Sequence, residues 1–427
     1  MVETLIKKIL NKNLQYNILS LINVLIGFAF IIVLGRKFGA GKQTDIYFLS
    51  MVVITYLGYF IQGVWEAMSP YYIELKIKDK KLADELYSIL LNDLILISLS
   101  IVGLYFLITS IFDIINIETK KFLDVFIFYI IFQNIMLLNK TVLNLEHFYA
   151  SFYLVDIFVY FILFITIFIF VDNELLYIAY ATILATFLAN LWQFYLIFKK
   201  LAIRYKFKVY NDNLKEIYFN SFKLKIGSLF YGSKDIIIAS VFTSFGSGTY
   251  SLYSYANKFA GVILQVVNAP IVNIFATKAN YYIANKQYDL LQIDIKKVLI
   301  QTTILFTGSA TITYFLLPFI LSILFGDKFS DNDILNIQRI FLIMIVFYFI
   351  IVMESPFARL INILKLFNFG ILINLVFGVM LFIAYLISNY FNLHYITFLF
   401  IVIFAQISNF LFAYFRYKYF LKEKNEI

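Results

Sequence analysis

The sequence predicts an all-α integral membrane protein of about twelve transmembrane helices in two six-helix lobes, with both termini on the cytoplasmic side. Three observations carry that reading. The chain is 62% hydrophobic and only 14% charged, where soluble domains average about 25% charged. Apolar runs long enough to cross a bilayer follow one another along the chain, leaving no room for a soluble domain between them. One short glycine motif occurs twice, at the same topological place in each half.

In order, the expected spans cover residues 14–36, 45–72, 86–112, 122–139, 149–171, 175–198, 219–244, 249–277, 298–325, 335–353, 366–389 and 394–415. The first is too long for a cleaved signal peptide and lacks its small-residue exit. Orientation follows from Lys and Arg in alternate loops. Lys7, Lys8, Lys12, Lys76, Lys78, Lys80, Lys81, Lys140, the cations from Lys199 to Lys225, Lys278, Lys286, Lys296, Lys297, Arg359, Lys365 and those from Arg416 to Lys424 fall on the cytoplasmic side. Outside, the loops hold Arg36, Lys37, Lys42, Lys120, Lys121 and Lys328 beside acids such as Asp113, Glu118, Asp172, Glu174, Asp327, Asp331 and Asp333. The net charge of +9 is mostly this bias, which argues against a nucleic-acid partner. Absence of cysteine excludes disulfides and thiol chemistry.

The basic stretch after the sixth span divides the chain into an N-terminal lobe (1–198), a cytoplasmic linker (199–218) and a C-terminal lobe (219–427). Positive charge there fits an anchor on anionic lipid.

The stretch GRKFGAGKQTDIYFLS, Gly35 to Ser50, is no phosphate cradle, because Gly41-Lys42-Gln43 lacks the Lys-Ser/Thr that a P-loop needs. Phe38, Gly39 and Gly41 recur at one constant offset as Phe245, Gly246 and Gly248, between the first and second spans of each half. The four glycines are expected to be hinges where helices turn back sharply. With six spans per half, the repeat is parallel, and a pseudo-twofold axis along the membrane normal with a cavity between lobes is expected.

Polar residues within the spans mark candidate sites, since a charge at mid-bilayer costs at least about 2.5–3.5 kcal/mol. In the span over 249–277, Tyr250, Ser254, Asn257, Gly261, Gln265 and Asn268 share one helix face, bordered by Lys258. Thr55, Gly58, Gln62, Glu66 and Ser69 do the same in the second span, and Asn17, Ser20 and Gly27 form a looser stripe in the first. Such stripes fit a wet interior or packing contacts between helices. Adjacent Lys234 and Asp235 point about 100° apart on a helix, so each is expected to need a partner other than its neighbour. Lys234 suits an anionic headgroup and Asp235 a coupled proton or sodium ion. No cofactor or metal site stands out, and the two histidines, His147 and His394, fall at opposite faces. An enzyme is the weaker class.

Leu25 to Ser50, LIGFAFIIVLGRKFGAGKQTDIYFLS, resembles the N-terminal signature of the MurJ-type lipid II flippases of the MOP superfamily. Gly27, Phe28, Ala29, Phe38, Gly39, Ala40, Gly41, Thr44, Asp45 and Phe48 match it without gaps, and Arg36 agrees with a basic residue there. YSYANKFAGVIL, from Tyr253, is similar to the family's Tyr-Ala-Asp-Arg segment, with Asn257 at the acid and Lys258 at the arginine.

The resemblance implies a V-shaped two-lobe transporter that moves an undecaprenyl-diphosphate-linked saccharide across a bacterial inner membrane by alternating access. It also shows departures. The family's Arg-Asp after Gly-Phe-Ala is replaced by Phe30 and Ile31, and an arginine pair in the second span by Gly58 and Tyr59; the family typically adds two helices beyond the twelfth. Twelve spans resemble the Wzx-type flippases of O-antigen and capsule repeat units, which makes such a unit the expected substrate and lipid II the alternative. A MATE-like drug exporter is a further alternative, against which Lys234 and Lys258 argue.

The expected substrate contacts are Lys258, Lys234, Asn257, Gln265, Gln62 and Asn17, with Asp235, Glu66, Arg36 and Asp45 as coupling or gating residues. A functional monomer working with other polysaccharide-assembly proteins completes the expectation.

Overall fold

The computed structural model describes residues 2–112, 116–169, 174–207, 214–364 and 366–425, and these contain helices and turns but no strand. Thirteen α-helices follow in order: α1 Val2–Phe38, α2 Lys42–Lys78, α3 Lys80–Ile111, α4 Ile117–Phe126, α5 Tyr129–Leu145, α6 Tyr149–Ile169, α7 Leu176–Tyr195, α8 Leu214–Ser244, α9 Thr249–Ala284, α10 Tyr288–Phe325, α11 Asp331–Ile363, α12 Phe367–Phe391 and α13 Tyr395–Asn425. Each expected span has its helix, the fourth being built from α4 and α5 together. Among the described residues, ten segments are long and apolar enough to cross a membrane, and the bent α2 makes eleven. The remaining expected span is α8, long enough at 31 residues, but Lys234 and Asp235 interrupt its apolar half.

Local chemistry explains the ends. Asp79 caps α3 by accepting from the N–H of Lys81, and Asn116 caps α4 through the N–H of Glu118. Ser330 and Asp333 form a reciprocal capping box on α11. Pro70, Pro270, Pro318 and Pro356 lie inside long helices, as membrane helices tolerate.

The chain forms two compact units. One comprises residues 1–37 and 50–225, the other 38–49 and 226–427. In the first, α7 packs against α4, α5 and α6 through Ala179, Ala185 and Ala189, which are fully buried. Small residues allow that close approach. Buried amides add hydrogen bonds: Tyr87 donates to Asn139 at 2.7 Å, Asn134 to Ser98 at 2.9 Å and Asn190 to the Phe132 carbonyl at 2.8 Å. In the second unit, α11 is central and packs against α9, α10, α12 and α13.

Two sequence expectations change here. Lys140, assigned to a cytoplasmic loop, is buried within α5 and paired with Asp156 of α6 at 2.8 Å. The fourth span ends at Leu145 rather than 139, which carries Lys140 inside. The basic linker, expected from its charge to lie on lipid, packs on the protein. Its extended stretch after Leu201 is pinned along α3: Arg204 N–H donates to Asp84 at 3.1 Å, Lys206 N–H to Ser88 at 3.1 Å, and Tyr205 to Asn92 at 2.7 Å. Lys206 also pairs with Glu85 at 2.9 Å.

Gly63 of α2 sets how closely α8 approaches within the first unit. A Cβ there would clash with Ser221 Oγ and lie 2.8 Å from the Ser221 carbonyl oxygen. Gly63→Ala is therefore expected to cost about 1–3 kcal/mol through overpacking, read as a lowered unfolding temperature of the purified protein. An unchanged temperature would show that α8 can move aside freely.

Candidate functional site

The glycine turn begins where α1 ends. Gly39 takes φ +68°, which reverses the chain into α2. Thr44, one turn into α2, donates to the carbonyls of Gly39 and Gly41 at 3.1 and 2.9 Å and accepts from the Gly41 N–H at 3.0 Å. In the same unit Gly248 is the N-cap of α9, with φ +87° and no side chain to satisfy the free N–H groups that open a helix.

Asp45 supplies what Gly248 lacks. Its Oδ2 accepts from the Gly248 N–H at 2.5 Å, and its Oδ1 from the Ser251 N–H at 2.6 Å, with the Ser251 hydroxyl also 2.6 Å away. A carboxylate at this end also complements the helix dipole. Ser251 lies 2.7 Å from Thr44, 207 residues earlier, the offset that relates the two glycine motifs. Gly41 and Gly248, counterparts in the repeat, also meet: a Cβ on Gly248 would lie 3.5 Å from Gly41 Cα and 2.5 Å from the Ala40 carbonyl oxygen. Gly246 takes φ +113°, whereas Gly41, expected as a hinge, does not take a positive φ; its N–H donates to Thr44 and its carbonyl accepts from the Asp45 N–H.

Deeper in the second unit, polar side chains of four helices converge. Lys234 and Asp235 of α8, Asn257 of α9 and Tyr348 of α11 line a cavity of about 20 Å³ with Tyr253, room for roughly one water. Tyr348 donates to Asn257 at 2.7 Å, and Ser355 to Asn268 at 3.0 Å. Gln406 of α13 donates to Glu354 of α11 at 2.5 Å and accepts from Tyr231 at 3.3 Å. The Lys234 ammonium lies 5.1 Å from the Tyr231 ring centre.

Lys234 and Asp235, expected to need separate partners, pair with each other at 2.7 Å. The 100° between their Cβ directions is bridged by the long lysine stem, which folds back to its neighbour. Lys258 remains accessible, with no hydrogen bond or ion pair among the described residues, and Asp235 acts on it electrostatically. Gln265 is exposed on α9; Gln62 is half-buried and Arg36 exposed, both in the first unit. The side chains of Asn17 and Glu66 lie outside the described residues. The cavity thus gathers Lys234, Asp235 and Asn257, while Gln265 stands apart. Glu354 was missed, although a lone glutamate within FLIMIVFYFIIVMESPF is the intramembrane charge that marks a site.

Over residues 34–353 the sequence matches the model of the family described as MurJ, lipid II flippase MurJ. The chain belongs to the MurJ lipid II flippase family. Comparison with curated protein sequences finds no match. Among solved structures, it is similar to a lipid II flippase MurJ in an inward closed conformation, with TM-score 0.80, 17% identity and coverage of 95% of this chain and 87% of that one. It is also similar to an inward-facing multidrug resistance MATE transporter of the MOP superfamily, with TM-score 0.75, 14% identity and coverage of 94% and 96%. At these identities the likeness is one of fold. Membership in the MurJ family makes the chain a multi-pass membrane transporter of the lipid-linked precursor flippase type rather than an enzyme.

In this MurJ-family chain, Asp45 satisfies three donors at once. Asp45→Ala is expected to lower stability by about 1–3 kcal/mol, the cost of leaving buried donors unpaired. Asp45→Asn, which retains an acceptor oxygen, should recover part of the loss in the same thermal unfolding measurement. Equal unfolding temperatures for Ala and wild type would show that α9 needs no cap from α2.

Proposed function

We infer that this protein moves an undecaprenyl-diphosphate-linked saccharide from the cytoplasmic to the outer leaflet of a bacterial inner membrane by alternating access. The family match over residues 34–353 carries the reading. Lys258, accessible on α9, is the cation for the diphosphate; Lys234, paired with Asp235 in the resting arrangement, is the second. Asn257, Gln265, Gln62 and Asn17 supply hydrogen bonds for sugars. Asp235 and Glu66 are the candidates for coupling to a proton or sodium ion. Asp45 and Arg36, at the glycine turn, are the gating residues, with Gly39, Gly41, Gly246 and Gly248 as the hinge.

For the saccharide, the family match gives lipid II a slight advantage. A surface-polysaccharide repeat unit is the second reading, favoured by Phe30. That position, where the resemblance implies an arginine, holds a ring 1% exposed, 5.8 Å from the Tyr160 ring and 6.2 Å from that of Phe164. No diphosphate contact is available from such a side chain, and Gly58 and Tyr59 add no cation.

Proteoliposomes loaded with either lipid, probed by a lectin or enzyme confined to the outside, separate the two substrates. Protein-dependent exposure of lipid II supports the first reading, and exposure of a repeat unit alone supports the second. Lys258→Ala is expected to slow flipping about tenfold, equivalent to about 1.4 kcal/mol; an undiminished rate in correctly inserted protein removes Lys258 from the site.

A further inference from the structure

The first unit holds an ion pair inside its membrane-spanning helices. Lys140 Nζ lies 3.0 and 2.8 Å from the two carboxylate oxygens of Asp156, and the Asn23 side-chain amide of α1 donates to Asp156 Oδ2 at 2.9 Å. The two charged side chains are 6% and 22% exposed. Desolvating such a pair costs several kcal/mol, and well-packed apolar residues often join helices as well or better. The pair therefore points to a task beyond packing.

Among the described residues its surroundings hold few other charges. α7, packed against α6, carries no Asp, Glu, Lys or Arg. From α5 the facing titratable groups are Lys140 and Tyr129, and from α6 itself Tyr160, one turn along. On α1 the nearest charged side chains toward its C-terminus are Arg36 and Lys37, about 20 Å along the helix.

Two features equip Asp156 to change protonation state. Asn23 Oδ1 is buried and finds no hydrogen-bond partner among the described residues. An ionised carboxylate only accepts hydrogen bonds, whereas a carboxylic acid also donates one. A half-turn of the Asn23 amide presents Oδ1 to that new donor, so Asn23 can bond Asp156 in either state. The second feature is Phe152, whose ring centre lies 4.3 Å from Lys140 Nζ. Its face can hold the ammonium once the carboxylate is neutral.

We propose that Asp156 is a transport-linked proton-binding site, with Lys140 as its tethered counter-cation and Asn23 as the reader of its protonation state. One proton from water forms an O–H bond on Asp156 and cancels its negative charge. Lys140 keeps its own proton and shifts onto Phe152, and the hold of α1 on α6 passes from an amide-to-carboxylate bond to an acid-to-amide bond. Release of the proton restores the pair. The site rests on the transport reading above, and lies in the first unit, separate from Asp235 in the second.

The test uses the intact protein in proteoliposomes under an imposed pH difference. For one coupled proton, each pH unit shifts the steady-state ratio of substrate between leaflets by up to about tenfold. Asp156→Asn and the charge-neutral pair Lys140→Met with Asp156→Asn are expected to flip substrate while the ratio stays unchanged by the gradient. The double variant guards against misfolding from a lone buried Lys140. A wild-type gradient response in either variant, or no gradient response in a wild type that does flip substrate, overturns the proposal.

Infrared difference spectra on acidification provide a readout that does not depend on flipping. A protonated-carboxyl band present in wild type and lost in the double variant supports the site; its persistence overturns it. Failure of the wild type to flip any lipid tested, with that band intact, counts against the transport reading and leaves the proton site standing.

Discussion

The carboxylate of Asp45 is the constraint on which the second unit's arrangement depends. A helix that begins at a glycine exposes its first N–H groups with nothing of its own to satisfy them. α9 begins at Gly248, and its peptide donors are met by a side chain from α2. Gly248 is needed because a Cβ there would strike the Ala40 carbonyl. The glycine that permits the close approach also leaves the helix uncapped, and Asp45 supplies the cap. From that fixed end α9 runs inward to Asn257 and Lys258, so the site residues inherit their place from a turn that carries no chemistry itself.

Inside the helices, polarity is concentrated rather than scattered. Glu354 meets Gln406, Lys234 meets Asp235, and Lys140 meets Asp156 and Asn23. Each grouping offsets part of the cost of burying a charge inside membrane-spanning helices. An apolar core would be simpler to insert, but would offer no ionisable group to a transport cycle.

Much of this was legible in the residues. Span positions followed from apolar length, because a bilayer imposes one thickness on every helix. The glycine turns were visible because only glycine takes positive φ at small cost. What stayed hidden depended on side-chain reach. Lys234 and Asp235 look divergent by helical angle, yet the flexible lysine stem closes the gap. Lys140 looked like a loop cation because the apolar stretch before it was long enough to be a span. Its partner is in α6, and nothing in the local pattern names a partner 16 residues away. Glu354 was legible and overlooked, since Ser355 and Pro356 beside it resemble the end of a helix, whereas α11 continues to Ile363.

The repeat meets itself at the turn. Thr44 and Ser251 are counterparts and touch, as are Gly41 and Gly248. Residues that meet their own equivalents lie at a local twofold relation, where self-complementary contacts are expected. Perfect symmetry would place a second acid at residue 252. Residue 252 is a leucine, 8% exposed. The acid is present in one copy of the motif only, and it takes three donors of the other copy. The turn is a shared contact with a direction built into it, and that direction is set by Asp45 belonging to α2 alone.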